Sequence, residues 1–411
     1  MSWPVAPLKR LVDPSRSITY GIVQAGPDTP GGIPYIRPVD MTQFGGVAEP
    51  KSLLRTTPEI AEAYRRSTVT DGDIVVSIGP SYGKVMIVPA ELTGANLTQG
   101  TARVAPASTV HARYLYWALQ AATSQQFWDS CVGGATFRAL NLEPLGSTPV
   151  PLMPLEEQRR ITNFLDVEIS KVDDLVSKKE RLVSLMDERI DSQVLQHVGS
   201  SQLVNRATGH PALPIRRILT KVTRPAAPNV GVITAYRDGQ VTERSLRRAE
   251  GYTLSASTDP QGQSVRVDDV VVHGLDGFAG AIGTSESTGN CSPVYHVCVP
   301  TNGGDARFLG RLLRLLALQG YLGNFATSTR ERAVDFRNWD LFGRIPIPVV
   351  STDEQREIGD RITRLRPLRE LVTRSESLAA ERRLSLITAA VTGQFDVSTA
   401  SGRNVTEGVS A

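Results

Sequence analysis

The chain repeats itself, and that limits what it can fold into. Residues 146–161 and 343–358 align at a constant offset of 197. Across that stretch and just before it, Asn141, Gly146, Pro149, Pro151, Glu157, Gln158, Arg159 and Ile161 meet Asn338, Gly343, Pro346, Pro348, Glu354, Gln355, Arg356 and Ile358. Weaker echoes lie on both sides. Pro7-Leu-Lys-Arg-Leu11 matches Pro214-Ile-Arg-Arg-Ile218, Gly72-Asp-Ile-Val-Val76 matches Asp268-Asp-Val-Val-Val272, and Ala112-Arg-Tyr-Leu115 matches Ala306-Arg-Phe-Leu309. Ser184-Leu-Met-Asp-Glu-Arg189 matches Ser377-Leu-Ala-Ala-Glu-Arg382 at an offset of 193, so about one helical turn is missing from the second copy. A chain of 411 residues is long enough for two or three domains, and here it holds two copies of one unit.

Each copy has a mixed part and a helical part. The mixed parts, about 1–150 and 205–350, carry short β-type runs such as Asp73-Ile-Val-Val-Ser77 and Val270-Val-Val-His273 between many Gly and Pro breaks. They also carry helix patterns over Ala112–Trp128 and Arg307–Leu318, and each closes on a Pro-x-Pro. From Leu155 to Val198 there is neither Pro nor Gly. Ile161, Leu165, Val172, Leu175, Leu182, Met186 and Ile190 fall on one helical stripe. At about 1.5 Å per residue this helix spans about 66 Å. The second helix opens on Thr352-Asp-Glu-Gln, a capping-box-like start, and ends at Gly393. Its stripe holds Ile358, Ile362, Leu365, Val372 and Ala379, and Pro367 is expected to kink it. Two long helices with one apolar stripe each bury those stripes most simply against each other. Domain, helix, domain, helix, with antiparallel helices, places the domains at opposite ends of a rod related by a pseudo-twofold. The expected fold class is mixed α+β, with segments 1–150, 151–204, 205–350, 351–395 and a disordered tail over 396–411.

Charge fits that division. Of the 45 basic residues only seven are Lys, and Arg grips phosphate and guanine bidentately where Lys cannot. Residues 205–344 carry 17 basic and 12 acidic side chains, 1–150 carry 12 and 11, and 155–195 carry 7 and 10. The basic excess therefore sits mainly in the second domain and is absent from the first helix. Three cysteines, Cys131, Cys291 and Cys298, exclude a disulfide scaffold. With no apolar run of membrane-spanning length and no signal-peptide block at the start, the expected location is cytoplasmic and away from membranes.

These residues together resemble the specificity subunit of Type I restriction-modification systems. The resemblance runs from Pro7-Leu-Lys-Arg-Leu11 to Val391-Thr-Gly-Gln-Phe395. Its most specific pieces are Gly32-Ile-Pro-Tyr-Ile-Arg37, Gly72-Asp-Ile-Val75, the two Pro-x-Pro…Glu-Gln-Arg-x-Ile junctions and Ala390-Val-Thr-Gly393. The second domain departs from it locally, with Asp268-Asp269 in place of Gly72-Asp73 and no clear Gly-Ile-Pro-Phe-Ile-type strand. The resemblance implies two target recognition domains alternating with two helices in an antiparallel coiled coil. Each domain reads one half of an asymmetric bipartite site in double-stranded DNA, and the helices act as a ruler. It implies a subunit without catalysis or cofactor of its own. It recruits two adenine methyltransferase subunits, which use S-adenosylmethionine, and restriction subunits, which use ATP and Mg. A coiled-coil adaptor of a phage-defence complex, without DNA specificity, is the alternative.

Catalytic motifs are missing from the sequence. There is no Asn-Pro-Pro-Tyr or Asp-Pro-Pro-Tyr, and Gly79-Pro-Ser-Tyr-Gly-Lys84 is one residue short of a phosphate loop and lacks its Ser or Thr. His273, Cys291, His296 and Cys298 lack the Cys-x₂-Cys spacing of a zinc site, and no metal is expected. Loops should carry the DNA-reading side chains. The candidates are Tyr20, Arg37, Ser81, Tyr82, Lys84, Gln99 and Arg138 in the first domain, and Tyr236, Arg237, Arg244, Arg330 and Arg332 in the second. Glu157, Gln158 and Arg159, with Glu354, Gln355 and Arg356, occupy equivalent places in the twofold. They are the candidates for two identical methyltransferase contacts.

Overall fold

The computed structural model describes residues 3–42, 46–47, 49–132, 138–198, 212–247, 262–325, 335–394 and 397. The chain divides into two compact units, one of Met1–Ser177 with Arg374–Ala411, the other of Lys178–Thr373. Each unit thus takes one mixed domain, part of the long helix Leu155–His197 and part of the long helix Thr352–Thr392. No helix among the described residues is long and apolar enough to cross a membrane.

The first unit is built on a four-stranded antiparallel sheet in the order Thr19–Tyr20, Thr101–Val104, Ile74–Ser77, Val85–Ile87. The second unit repeats it with Leu219–Lys221, Tyr295–Pro300, Val270–His273 and Ile282–Thr284. The central strands read as unbroken apolar runs because both faces are covered. Ile74 and Val76 join one core with Leu115, Trp117 and Trp128, while Val75 joins another with Ile36, Met86 and Leu97. In the second unit Val270 and Val272 pack with Phe308 and Leu312, and Val271 packs with Ile233, Val241 and Val265.

The turn into each central strand is held by a buried carboxylate. Asp73 takes both terminal nitrogens of Arg16 at 2.9 and 2.6 Å and caps the backbone of Thr70 at 2.8 Å. Asp269 takes Arg224 at 2.5 and 3.0 Å and caps Arg266 at 2.7 Å. The residue before each aspartate is left-handed, Gly72 at φ +81° and Asp268 at φ +67°. Aspartate tolerates that conformation better than most side chains, so Asp268-Asp269 preserves the turn of Gly72-Asp73.

The Pro-x-Pro segments are strands. Pro149–Pro151 pairs antiparallel with Val5–Pro7, and Pro346–Pro348 pairs with Ala212–Pro214, joining the start of each domain to its end where the long helix departs. Proline is tolerated because each ribbon has only two strands. The expected helix over Ala112–Trp128 is two helices, Ala112–Gln120 and Ala122–Cys131. The break at Ala121 frees the amide of Ala122 to donate to Thr388 Oγ1 at 2.9 Å.

Both long helices feed the cores. Ile161, Leu165 and Ile169 share the first core with Leu386, Ile387, Ala390 and Val391. Ile190, Val194 and Val198 share the second with Ile358 and Leu365. Arg383 pairs with Asp173 at 3.3 Å in the first unit, and Arg369 pairs with Asp187 in the second. Within each unit, moving forward along one helix means moving back along the other, so the two segments packed there are antiparallel. The apolar stripe is not continuously buried as expected. Leu175 and Leu182 are 55% and 56% exposed, as are Leu371 and Leu378 at 61% and 55%. Pro367 lies inside an uninterrupted helix on an exposed position, where water can take the carbonyl it leaves unpaired. The cap of the second helix is Ser351, whose Oγ accepts from the backbone N–H of Glu354 at 3.3 Å. Glu354 Oε2 in turn takes the Ser351 amide at 3.0 Å, so the capping box starts one residue earlier than expected. Gly393, at φ +71°, ends the helix as expected.

One glutamine per copy ties helix to domain. Gln158 is 1% exposed; its Oε1 accepts from the His111 amide at 2.8 Å and its Nε2 donates to the Met153 carbonyl at 2.8 Å. Gln355 is 3% exposed and does the same with the Asp305 amide at 3.0 Å and the Val350 carbonyl at 2.9 Å. Replacing Gln158 by Leu strands both backbone groups away from water, and the first unit should lose about 2–3 kcal/mol. Urea unfolding followed by tryptophan fluorescence reads the loss, and Arg159→Ala, on an exposed side chain, should leave the midpoint in place.

Candidate nucleic-acid interface

In the first domain, three loops meet at one end of the main sheet. The hairpin after Ile74–Ser77 is closed on itself: Ser77 Oγ donates to the Ser81 carbonyl at 2.9 Å and accepts from the Lys84 amide at 2.9 Å. Lys84 Nζ crosses to the second loop, donating to the carbonyls of Pro38 and Met41 at 3.0 and 2.8 Å. The third loop arrives at Gly100, where an added Cβ would stand 2.9 Å from Pro38 Cγ, so glycine lets the chain pass this close to the proline ring. Gln99 sits exposed beside it. The amide of Leu140 donates to Ile78 O at 2.9 Å and draws in exposed Arg138, whose charge acts on Tyr82.

The expected residues Arg37, Ser81, Tyr82, Lys84, Gln99 and Arg138 therefore come together, though in different states. Ser81, Gln99 and Arg138 are exposed. Tyr82 donates to Asp129 Oδ1 at 2.6 Å, and this bond, with some burial, pushes its phenol pKa up. Arg37 is clasped by Asp40 at 2.9 and 2.7 Å, which raises its pKa further and partly neutralises it toward other anions. Lys84 is corrected from a free phosphate grip to a tether, since two of its three N–H groups are spent on carbonyls. Tyr20 stands apart, 37% exposed on a cleft that also contains Arg16, Arg65, Arg66 and Arg103.

In the second domain, Tyr236 and Arg237 form the tip of the hairpin joining Ile233–Ala235 and Val241–Glu243. The Arg247 guanidinium lies 4.1 Å from the Tyr236 ring centre and pairs with Asp238 at 2.7 Å. Arg237 pairs with Asp276 at 3.0 Å in an exposed position, which costs it little availability. Arg244 is half-buried at the other end of that hairpin, away from the tip. Arg330 and Arg332 lie outside the described residues. His296 Nε2 is 2.6 Å from the Phe336 carbonyl and Cys298 is fully buried; among the described residues no His, Cys, Asp and Glu side chains gather as metal ligands.

The six helix candidates divide sharply. Gln158 and Gln355 are buried and fully used inside the fold, so they cannot contact a partner; their recurrence comes from repeating the same helix anchor. Glu354 is a helix cap, and Glu157 pairs with Arg160 at 3.2 Å. Arg159 and Arg356 are exposed, Arg356 pairing with Asp353 at 3.4 Å. Sequence reasoning missed Arg16 and Arg224. Their signal was the aspartate immediately ahead of each apolar central strand, Asp73 and Asp269, which needs a cation once buried.

Residues 24–182 match the family model described as the Type I restriction modification DNA specificity domain. The matched stretch is about two fifths of the chain and takes in the first mixed domain and the start of the first long helix. The chain is 28% identical over 165 residues to the Type I restriction enzyme EcoBI specificity subunit of Escherichia coli, covering 40% of this chain and 34% of that one. The match thus spans about a third of that relative. Its fold, TM-score 0.56 at 15% identity, is that of a chain from a structure on complex assembly and conformational transition of the type I R-M system, covering 96% of this chain and 98% of that one. The S subunit of the M. genitalium Type I system gives 0.45 at 15% identity, covering 95% and 96%. Within the matched residues, Lys84→Met should destabilise the first unit by about 1–2 kcal/mol by stripping a charged donor from two carbonyls. Ser81→Ala should not, and comparing the two urea midpoints checks the tether.

Proposed function

We propose that the protein is the DNA sequence-specificity subunit of a Type I restriction-modification complex. The observation that carries this reading is the pairing of two copies with one scaffold and different loops. The Asp–Arg clasp, the glutamine anchor and the closing proline ribbon recur in both copies. The exposed residues at the ends of the sheets do not. Ser81, Gln99 and Arg138 belong to one reader, and Arg237, at a hairpin tip beside half-buried Tyr236, to the other. Arg and Gln suit guanine and adenine edges in the major groove. Two unlike readers on like frames suit an asymmetric, bipartite site. The antiparallel helices set the distance between its halves.

The subunit has no catalytic part of its own in this reading. Two methyltransferase subunits modify adenine N6 with S-adenosylmethionine, and restriction subunits supply ATP- and Mg-dependent cleavage, all in the cytoplasm. Leucines left exposed on both long helices support partner binding there, since apolar groups at such density seek cover. Base-resolved adenine methylation in the source strain tests the reading. Deleting the gene should erase one motif of two short half-sites around a fixed gap, and an unchanged methylome would refute it. Adding four residues to each long helix should lengthen that gap by at least one base pair while leaving both half-sites the same.

A further inference from the structure

The cleft beside Tyr20 has a chemistry that the loop cluster does not use. It is open to solvent, holds about 690 Å³, and is walled by Arg16, Arg65, Arg66 and Arg103 with the hydroxyls of Ser17 and Thr68. Arg103 is its unusual member. It lies in the strand Thr101–Val104 opposite Val75 and is only 5% exposed. Its Nη1 donates to the Thr68 carbonyl at 2.9 Å and its Nη2 reaches the Ser17 carbonyl at 3.4 Å, but its buried Nε has no partner. A buried donor left so costs about 1–3 kcal/mol.

The fold does not require that arginine. In the second domain the residue opposite Val271, the counterpart of Val75, is Val297, which is fully buried in the apolar core. One copy thus satisfies the same sheet position with a plain hydrophobe. Arg103 is also crowded by its own kind: burial and the neighbouring Arg16 charge both press it toward losing its proton. The acids that act on it are Asp73, already clasped by Arg16, and Asp13. Arg65 meets Glu62 at 3.2 Å in open solvent, and Arg66 makes no ion pair among the described residues. Four guanidinium groups with hydroxyls between them, short of carboxylates, form the donor set of a phosphate.

We propose that this cleft binds a phosphate group, with Arg103 and Arg66 as its main donors and Arg16 fixed in place by Asp73. The phosphate comes in one of two forms, a DNA phosphodiester or a free phosphate, and only the first form rests on the DNA-reading function. The test uses the full chain and three variants, Arg66→Ala, Arg65→Ala and Arg103→Met. Inorganic phosphate is titrated at fixed ionic strength against chloride, reading the unfolding midpoint, which a native-state ligand raises. Duplex DNA affinity is measured across a salt series. Phosphate should raise the wild-type midpoint where chloride does not, with about tenfold weaker binding in Arg66→Ala. If the source is DNA, the slope of log affinity against log salt should become shallower by about one in Arg66→Ala. A lost phosphate response with an unchanged slope assigns the cleft to free phosphate, and a changed slope alone assigns it to DNA. The proposal is overturned if the wild type ignores phosphate, or responds equally in Arg66→Ala and Arg65→Ala, while the slope stays the same. That result stands whatever the methylation experiment returns. Should Arg103→Met fail to fold, the two exposed arginines carry the test.

Discussion

A long helix that leaves a domain must be held at its root, or its direction is free and nothing at its far end is placed. Here the root is a buried side-chain amide. Gln158 and Gln355 each sit in the first turn of a long helix, accept from the amide that opens a domain helix, and donate to the carbonyl just past the closing ribbon. Both backbone groups are out of reach of water, so only this amide can satisfy them together. The apolar contacts below it, Ile161 and Leu165 in one unit and Ile358 and Leu365 in the other, supply burial without direction. The amide supplies the direction, and any function that depends on the helices' aim depends on it.

Much of this was legible in the sequence because it is written twice. The constant offset located the copies, the proline pairs located the closing ribbons, and the Pro- and Gly-free stretch located the first helix to within a residue. What the repeat could not show is which way a repeated polar residue faces. Gln158 and Gln355 looked like a twofold partner surface, and they are instead the twofold anchor. Lys84 looked like a cation offered to DNA, and its ammonium is folded back onto two carbonyls. Neither distinction has a local signal, since each depends on a backbone group brought from 35 or more residues away in the chain, 47 for His111 and 43 for Met41. The apolar stripe misled in the opposite sense. Its period was correct, but burial is decided by what covers it, and Leu175 and Leu182 lie exposed among the described residues.

Comparing the copies separates frame from reader more sharply than either copy alone. Positions where chemistry is kept although residues change, such as Gly72 and Asp268 in one left-handed turn, answer to the backbone. Positions where chemistry changes although the backbone is kept are not dictated by the shared frame. Arg103 against Val297 is the clearest of these: one sheet, one register, and a guanidinium exchanged for an isopropyl group. Burying an arginine with an unmet donor is unfavourable for stability, and the alternative is available in the same molecule. A duplicated domain thus carries its own control, in which the copy that does without a costly residue singles out that residue in the other as the one to test for recognition.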